Sequence, residues 1–469
     1  MKVKFRFAKL LVWGSIALLG LAIMGCPILA GSVSGQLSQG KTEEPSGQKP
    51  EVEKPEKEDD ENEGDETKGD ENGKTGEREP DEEDSETMEE GHGLLLWKIN
   101  FPVGKTWEAV LTVLIKIDDN TFIPWKYFDL AVSGAAERTV SLPAGTYKIE
   151  CRFMSHGKTI GSTEIINISP GQKTTSLYAG IDASAFPDAM EFSSVDELKM
   201  YLNDRPENTV EDPYLIKITG VDISSKTAKG NTMRTLYDAL DESNRFVSLD
   251  LRGGTGTELI AASASPVLAG RKKIVSMILP ETVTSVASNG FSGYDELRSV
   301  VLPNVITINQ VAFKKLGNIE TVSAPALITI VDDTGDGSSR GNFYGCVRLT
   351  SIYFPNIEAI GHHAFYGCGA LIEVLLPKAS GVGNSVFAEC TALKTVVLPK
   401  AGLIGNRAFH NDKALENLVL GSVPPNVEGS ANFSTGYPQN IYAPVSAVDV
   451  YKETEFWSKM KDRIYPIGA

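Results

Sequence analysis

Histidine and cysteine are scarce in this chain, five of each among 469 residues. The histidines, His92, His156, His362, His363 and His410, are scattered and do not keep step with the cysteines. A zinc centre needs four ligands in a closed cluster, so this spacing argues against one. No motif joins an acid, a base and a nucleophile, and the expectation is a non-enzyme without cofactor or metal. Apolar runs of membrane length are missing as well. Leu10–Met24 spans 15 residues, short of the roughly 20 that a membrane helix needs. A basic excess is also absent. The net charge is −17, and residues 41–90 alone hold 23 Asp/Glu against 7 Lys/Arg. The remainder is close to neutral and offers no electrostatic footprint for nucleic acid. Residues 41–90 also contain no aromatic side chain. They cannot bury a core, their like charges repel, and they read as a disordered tether. The roughly 65 residues after Cys26 would reach about 45 Å as a flexible coil. Calcium binding by these carboxylates is the alternative, but no ligand spacing recurs.

The first residues read as a targeting segment. Lys2, Lys4, Arg6 and Lys9 precede the apolar run, which ends in "IMGC", Ile23 to Cys26. This resembles the lipobox of bacterial lipoproteins. The resemblance implies a signal peptide over 1–25, cleavage before Cys26, and acylation of its thiol and new amine. Several acyl chains would anchor the chain stably. Pro27 stands where an Asp would imply retention at the inner membrane, which leaves outer-surface display open. The alternative is a plain secretory signal cut near "ILAG", Ile28–Gly31.

Further on, the pattern turns to period two. "YKIECRF" places Tyr147, Ile149, Cys151 and Phe153 on one strand face, and turn clusters stand at Leu142–Gly145 and Ser155–Lys158. An antiparallel β-sandwich of immunoglobulin-like type is expected over 93–182. Trp97, Trp107 and Trp125 lie in it, either as core or as a sugar-binding platform. Residues 192–252 read as α/β. Ser194 and Glu197 make a capping box; Met233, Leu236, Tyr237 and Leu240 share a helix face; "YLIKI" and "FVSLDL" are strands.

From Ile274 the chain repeats. Phe291, Phe313, Phe343, Phe365, Phe387 and Phe409 are spaced 22, 30, 22, 22 and 22. Leu297, Ile319, Leu349, Leu371, Leu393 and Leu415 follow six residues after each, then a short β-rich run, then Pro303, Pro325, Pro355, Pro377 or Pro399 in the first five copies. A period near 22 of this kind is the mark of a leucine-rich solenoid. The motif L-x-x-V-x-L-P-x-x-x-x-I-G-x-x-A-F-x-x-C-x-x-L resembles the BspA-like leucine-rich repeats of bacterial surface proteins. Ile360-Gly361, Ala364-Phe365, Cys368, Leu371, Val374, Leu376, Pro377, Leu398-Pro399, Ile404-Gly405 and Ala408-Phe409 carry the likeness over about 246–469. The Phe313 copy departs from it with Leu316 and Ala324, and the Phe387 copy with "ASGVGNSVF". The resemblance implies a cell-surface solenoid that adheres to host or microbial partners, with no catalytic residues. It also implies a terminal cap of strand, helix through Tyr451 and Trp457, and closing strand.

The fold class expected is therefore multidomain and mainly β: an antiparallel β-sandwich, then an α/β-capped leucine-rich-repeat solenoid. The divisions are 1–25 signal, 26–92 tether, 93–182 sandwich, 192–252 α/β cap, 253–422 repeats and 423–469 C-terminal cap. Cys346, Cys368 and Cys390 share one column with Tyr294, Leu316 and Asp412. A slot that accepts Cys, Leu or Tyr behaves as packing, so buried free thiols are expected. A disulfide between coils is the alternative, since parallel strands lie near bridging distance. "DDTGDG", Asp332–Gly337, has part of a calcium loop's spacing, yet Phe343 stands where the loop needs Glu, so it reads as a surface insertion.

Two strand columns should face away from the core. Ser299, Thr321, Ser351, Glu373, Thr395 and Asn417 form a polar one; Val301, Ser323, Tyr353, Leu375, Val397 and Val419 form a largely apolar one. Such a stripe suits docking, although β-branched residues also simply favour strands. Val301, Tyr353, Glu373, Leu375, Val397 and Val419 are the candidate partner-binding residues, and Cys26 the lipidation site. The expected function is binding of a protein or other cell-surface macromolecule by a monomer anchored in the bacterial envelope. The alternative is a carbohydrate-binding lipoprotein that uses the sandwich tryptophans.

Overall fold

A parallel strand needs a partner in register, and a 22-residue period supplies one at every turn of the chain. The computed structural model describes residues 90–100, 107–116, 122–132, 135–155, 158–178, 188–225, 227, 229–259, 269–331, 341–429, 432–434 and 436–467. The signal segment, Cys26, the tether and Asp332–Gly337 lie outside the described residues.

Seven strands come first: β1 (His92–Asn100), β2 (Trp107–Lys116), β3 (Phe122–Val132), β4 (Ala135–Pro143), β5 (Gly145–Ser155), β6 (Lys158–Ile168) and β7 (Lys173–Tyr178). They form two sheets, ordered β4-β1-β7 and β3-β2-β5-β6. All pairs are antiparallel except β1 with β7, which is parallel. Tyr147, Ile149 and Cys151 are buried, as their alternation requires, and Lys148 and Glu150 pair on the other face. The Phe153 side chain lies outside the described residues. Trp97 is only 1% exposed, so it is packing and not part of a sugar platform. The side chains of Trp107 and Trp125 lie outside the described residues.

The solenoid's main sheet face begins with β8 (Met190–Phe192), β9 (Tyr214–Ile218), β10 (Val247–Asp250), β12 (Ile274–Ile278), β14 (Ser299–Val301) and β16 (Thr321–Ser323), all parallel. A second parallel sheet continues with β18 (Ser351–Tyr353), β20 (Glu373–Leu375), β22 (Thr395–Leu398), β24 (Asn417–Leu420), β26 (Asn440–Pro444) and β27 (Ile464–Ile467). Two-residue strands line the other side: β11 (Glu258–Leu259), β13 (Ser285–Val286), β15 (Thr307–Ile308), β17 (Thr329–Ile330), β19 (Ala359–Ile360), β21 (Gly381–Val382), β23 (Leu403–Ile404) and β25 (Asn426–Val427).

Between the two sides runs a column of phenylalanines. Phe291, Phe313, Phe343 and Phe365 stack at 4.4, 4.7 and 4.9 Å between ring centroids. Phe387, Phe409 and Phe433 extend the stack at 5.7, 5.7 and 5.5 Å. The leucine column packs beside it, and Leu297, Ile319, Leu349, Leu371 and Leu393 are wholly buried. The backbone amide of each phenylalanine from Phe343 to Phe387 donates to a carbonyl one coil on, at 2.7–2.9 Å. Two residues beyond each ring the backbone is left-handed: Gly293, Lys315, Gly345, Gly367, Glu389 and Asn411 have φ of 84, 60, 71, 73, 64 and 67°. The glycines of "FYGC" sit there because only glycine takes that conformation without a Cβ penalty.

The cysteine column is made of free, buried thiols. Cys346, Cys368 and Cys390 each donate Sγ–H to the carbonyl of the phenylalanine one coil earlier, Phe313, Phe343 and Phe365, at 3.2 Å every time. Burial pushes the Cys368 and Cys151 thiols up to about 12 and raises Cys346 and Cys390 well above their usual range. Almost no thiolate then exists at pH 8. The native protein should therefore resist alkylation at Cys151, Cys346, Cys368 and Cys390. All four should react after denaturation without any reductant, as intact mass will show. A peptide bridging Cys346 to Cys368 would overturn the assignment.

Both ends of the solenoid are closed. Helix α1 (Val195–Asn203) begins at Ser194, whose side chain accepts from the Glu197 amide at 3.2 Å. The Glu197 carboxylate reaches back one residue further than a capping box would, to Ser193 N–H at 2.9 Å. In helix α2 (Met233–Ser243), Met233, Leu236, Tyr237 and Leu240 are buried as the spacing required. The Tyr237 hydroxyl is hydrogen-bonded to that of Tyr294, which fills the first cysteine slot, and the Arg271 guanidinium lies 5.0 and 5.6 Å from the two ring centroids. At the other end Tyr451 donates to Gly421 O and Trp457 to Pro425 O, both at 3.0 Å. These two aromatics lie on separate segments, which corrects the expectation of one helix through both. Helix α3 (Val448–Glu453) stops where Thr454 becomes extended, and Trp457 opens a separate 3-10 segment, Trp457–Arg463.

Candidate functional site

Strand alternation sorts the side chains of the second parallel sheet. Ile352, Val374, Val396 and Leu418 face inward and join the solenoid core. Their neighbours in sequence face the opposite way. Register brings Tyr353, Leu375, Val397, Val419 and Tyr442 side by side across five strands. On the first sheet Val301 pairs with Ser323. The polar column runs alongside: Ser299 with Thr321, then Ser351, Glu373, Thr395, Asn417 and Asn440. Asn440 donates to Asn417 at 3.0 Å, and Asn417 to Thr395 at 3.5 Å, so the polar ladder ties adjacent coils.

Exposure divides the apolar column in two. Val301, Ser323 and Tyr353 are half-exposed. Leu375, Val397 and Val419 are not: they are 2, 5 and 1% exposed, although none belongs to the solenoid core. This corrects the expectation that the whole column is open to a partner. Strand β3 comes close to β22. Glu373 is half-exposed, and both it and Tyr353 are engaged in interactions.

Other features of this face escaped the sequence reading. Asp250, 1% exposed, holds Arg252 through bonds from Nε at 2.9 and 3.1 Å and from Nη2 at 2.5 Å. The alternation of "FVSLDL" placed Asp250 opposite the core but could not reveal its partner. Tyr442 was missed because its coil is 23 residues from the last and has no Phe-Leu signature. Across the molecule, Tyr344 and Tyr366 stack at 5.4 Å with 12° between ring planes.

The histidine pair has a structural part. His362 Nδ1 accepts the Asn384 amide at 2.7 Å, and Asn384 Oδ1 accepts the Asn406 amide at 2.8 Å, so both lock successive coils. His363 sits in left-handed backbone with φ of 57°. Among the described residues no group of three His, Cys, Asp or Glu could hold a metal ion. No helix among them is long and apolar enough to cross a membrane.

Residues 266–334 and 339–445 match the family described as BspA type Leucine rich repeat region, in six copies. No curated protein is significantly similar to the chain. Among solved structures it is similar to the T. pallidum Leucine Rich Repeat protein, at 23% identity and a TM-score of 0.28, covering 40% of this chain and 81% of that one. It is also similar to a leucine rich cell surface protein from Faecalibacterium prausnitzii, at 21% identity and a TM-score of 0.28, covering 37% of this chain and 56% of that one. A leucine-rich repeat protein from Bacteroides ovatus is a third, at 16% identity and a TM-score of 0.23, covering 54% and 83%. This chain thus spans little more than half of the F. prausnitzii protein.

Proposed function

We propose that this chain, whose residues 266–334 and 339–445 carry BspA-type leucine-rich repeats, is a lipid-anchored protein of the bacterial cell envelope that binds a macromolecular partner through the sheet face of its solenoid. The observation that carries the reading is the in-register stripe on that face. A polar column with half-exposed hydroxyls runs beside an apolar column whose Val301 and Tyr353 are half-exposed. Aromatic anchors of this kind concentrate binding energy, because they bury much area at small entropic cost. A protein or another cell-surface macromolecule spanning several coils fits such a surface better than a small ligand does. The domain plan is an acidic tether over 26–92, a β-sandwich spacer over 93–182, an α/β cap over 192–252, repeats over 253–422 and a closing cap over 423–469. The burial of Trp97 weighs against a sugar platform on the sandwich.

Tyr353→Ala is the direct test. It should weaken partner binding by about 1–3 kcal/mol, roughly 5- to 150-fold. Glu373→Lys should change the salt dependence of binding. Titration of the purified variants against a captured partner reads both. The reading fails if affinity survives Tyr353→Ala combined with Glu373→Lys in a protein that melts normally. Leu375→Ala is unsuitable for this purpose, because truncating a buried leucine costs about 2–5 kcal/mol of stability by itself.

The anchor has its own test. Cys26→Ala should abolish incorporation of labelled palmitate and leave the chain soluble or uncleaved. Continued labelling together with normal processing would sink the lipobox reading.

A further inference from the structure

We infer that the N-terminal strand module seats β3 on the sheet face of the solenoid and covers the docking column over its later coils. This deepens the reading of that face as the docking surface and rests on it. The first observation is burial without a core. Leu375, Val397 and Val419 are 2, 5 and 1% exposed, yet Val374, Val396 and Leu418, pointing the other way, are the ones that join the solenoid core. Neighbouring strands about 4.8 Å away cover only the flanks of a side chain that stands up from a sheet. A second layer lying over it, as when two sheets pack face to face, covers its top.

The second observation is where the burial begins and ends. Asp250 and Ile278, at the start of the same column, are 1 and 7% exposed, and Val301, Ser323 and Tyr353 after them are half-exposed. Cover starts at β20, continues through β22 and β24 and reaches β26, where Tyr442 is 6% exposed. β22 lies inside this covered run, and β22 is the strand that β3 approaches. The third observation is topological. β3 is the edge strand of its sheet, so among the described residues one side of it has no strand partner. Its sequence, FIPWKYFDLAV, is mostly apolar, which matches a column of leucine and valine.

The consequence is a face in two parts. The part carrying Val301 and Tyr353 is half-exposed, while the part carrying Leu375, Val397 and Val419 is occupied by the chain itself. A partner that needs only the half-exposed part binds directly. One that spans all the coils must first displace β3, and its apparent affinity is reduced by the fraction of molecules in which the seat is filled.

Photocross-linking tests the seat without any partner. A benzoylphenylalanine replaces Thr395, a half-exposed residue on the same face of β22, in the full-length chain. Irradiation at low concentration should join it, within one molecule, to a peptide from Phe122–Val132. Val397→Glu places a carboxylate in the covered column and should cut that yield about tenfold or more. Protection of the buried thiols from alkylation certifies that each variant is folded. Where the Thr395 variant fails that check, the same measurement is made from Glu373. The inference is overturned if a folded variant gives no cross-link to the N-terminal module, or only links between two copies, or if Val397→Glu leaves the yield unchanged. Loss of the cross-link with partner binding still sensitive to Tyr353→Ala removes the inference alone. A retained cross-link with binding insensitive to Tyr353→Ala removes the docking reading alone.

Discussion

Phe365→Ala is expected to cost the solenoid about 3–5 kcal/mol, the largest single loss among the truncations considered. Phe365 has no exposed surface and stacks between Phe343 at 4.9 Å and Phe387 at 5.7 Å. Phe354 also meets it, with centroids 6.4 Å apart. The ring therefore touches the coil before it and the coil after it. In a stack of repeats where each coil contacts only its neighbours, the cavity weakens two interfaces at once. Chemical denaturation should show a lower midpoint. The Cys368 and Cys390 thiols, which donate to the Phe343 and Phe365 carbonyls, should become alkylatable before Cys151 does. Phe433→Ala should cost less, because that ring ends the stack and is already 8% exposed. A Phe365→Ala protein within about 1 kcal/mol of the parent would show that the column is not what holds the coils together.

That column was legible in the sequence because its cause is a sequence property. One coil cannot bury its edge alone, so the residues that bury it must recur at the coil period, and Phe365 and Leu371 do. The free thiols were legible for a related reason. A slot that also takes Tyr294 and Leu316 cannot depend on bridging. The acceptors of those thiols were not legible, since a carbonyl one coil away leaves no trace in the residue type. Nor was the left-handed column. Gly293, Gly345 and Gly367 hint at it, but Lys315, Glu389 and Asn411 adopt the same backbone. There the amides of Lys315, Gly345, Gly367 and Glu389 each donate to a carbonyl of the next coil at 2.8–2.9 Å, and this outweighs the cost of about 1–2 kcal/mol for each side chain forced into it. The exposure of the docking column was misjudged at Leu375, Val397 and Val419 for a third reason. Alternation fixes which face a side chain joins, but whether another layer lies on that face depends on residues over two hundred positions away.

The sixth copy breaks the cysteine column with Asp412, and this should make the solenoid's stability depend on pH. Asp412 is 4% exposed, and its Oδ1 accepts the Cys390 amide at 2.9 Å while Oδ2 has no partner. Burial pushes the carboxyl up to about 9; the Cys390 amide opposes this, and Glu389 adds to it. The unfolded chain ionises the group near 3.9. Below that pH both states hold the proton and Asp412 costs nothing. As pH rises toward 9 only the unfolded state releases it, so stability falls, by at most about 1.4 kcal/mol per pH unit. Asp412→Cys should remove the loss by restoring the residue used in the three preceding coils. The Cys390 amide keeps a second acceptor, Phe387 O at 3.1 Å, so the change strands no donor. At pH 8 the variant should be more stable by about 2–4 kcal/mol, and at pH 4.5 nearly equal to the parent. Asp412→Asn should flatten the pH profile equally but gain less, because its amide finds no second partner in that space. Denaturant titrations at half-unit intervals from pH 4.5 to 8.5 give the difference between each variant and the parent, in which all other titrating groups cancel. Parallel curves for the parent and Asp412→Cys would mean that the carboxyl stays ionised in the folded state and that the buried, proton-bearing Asp412 is wrong.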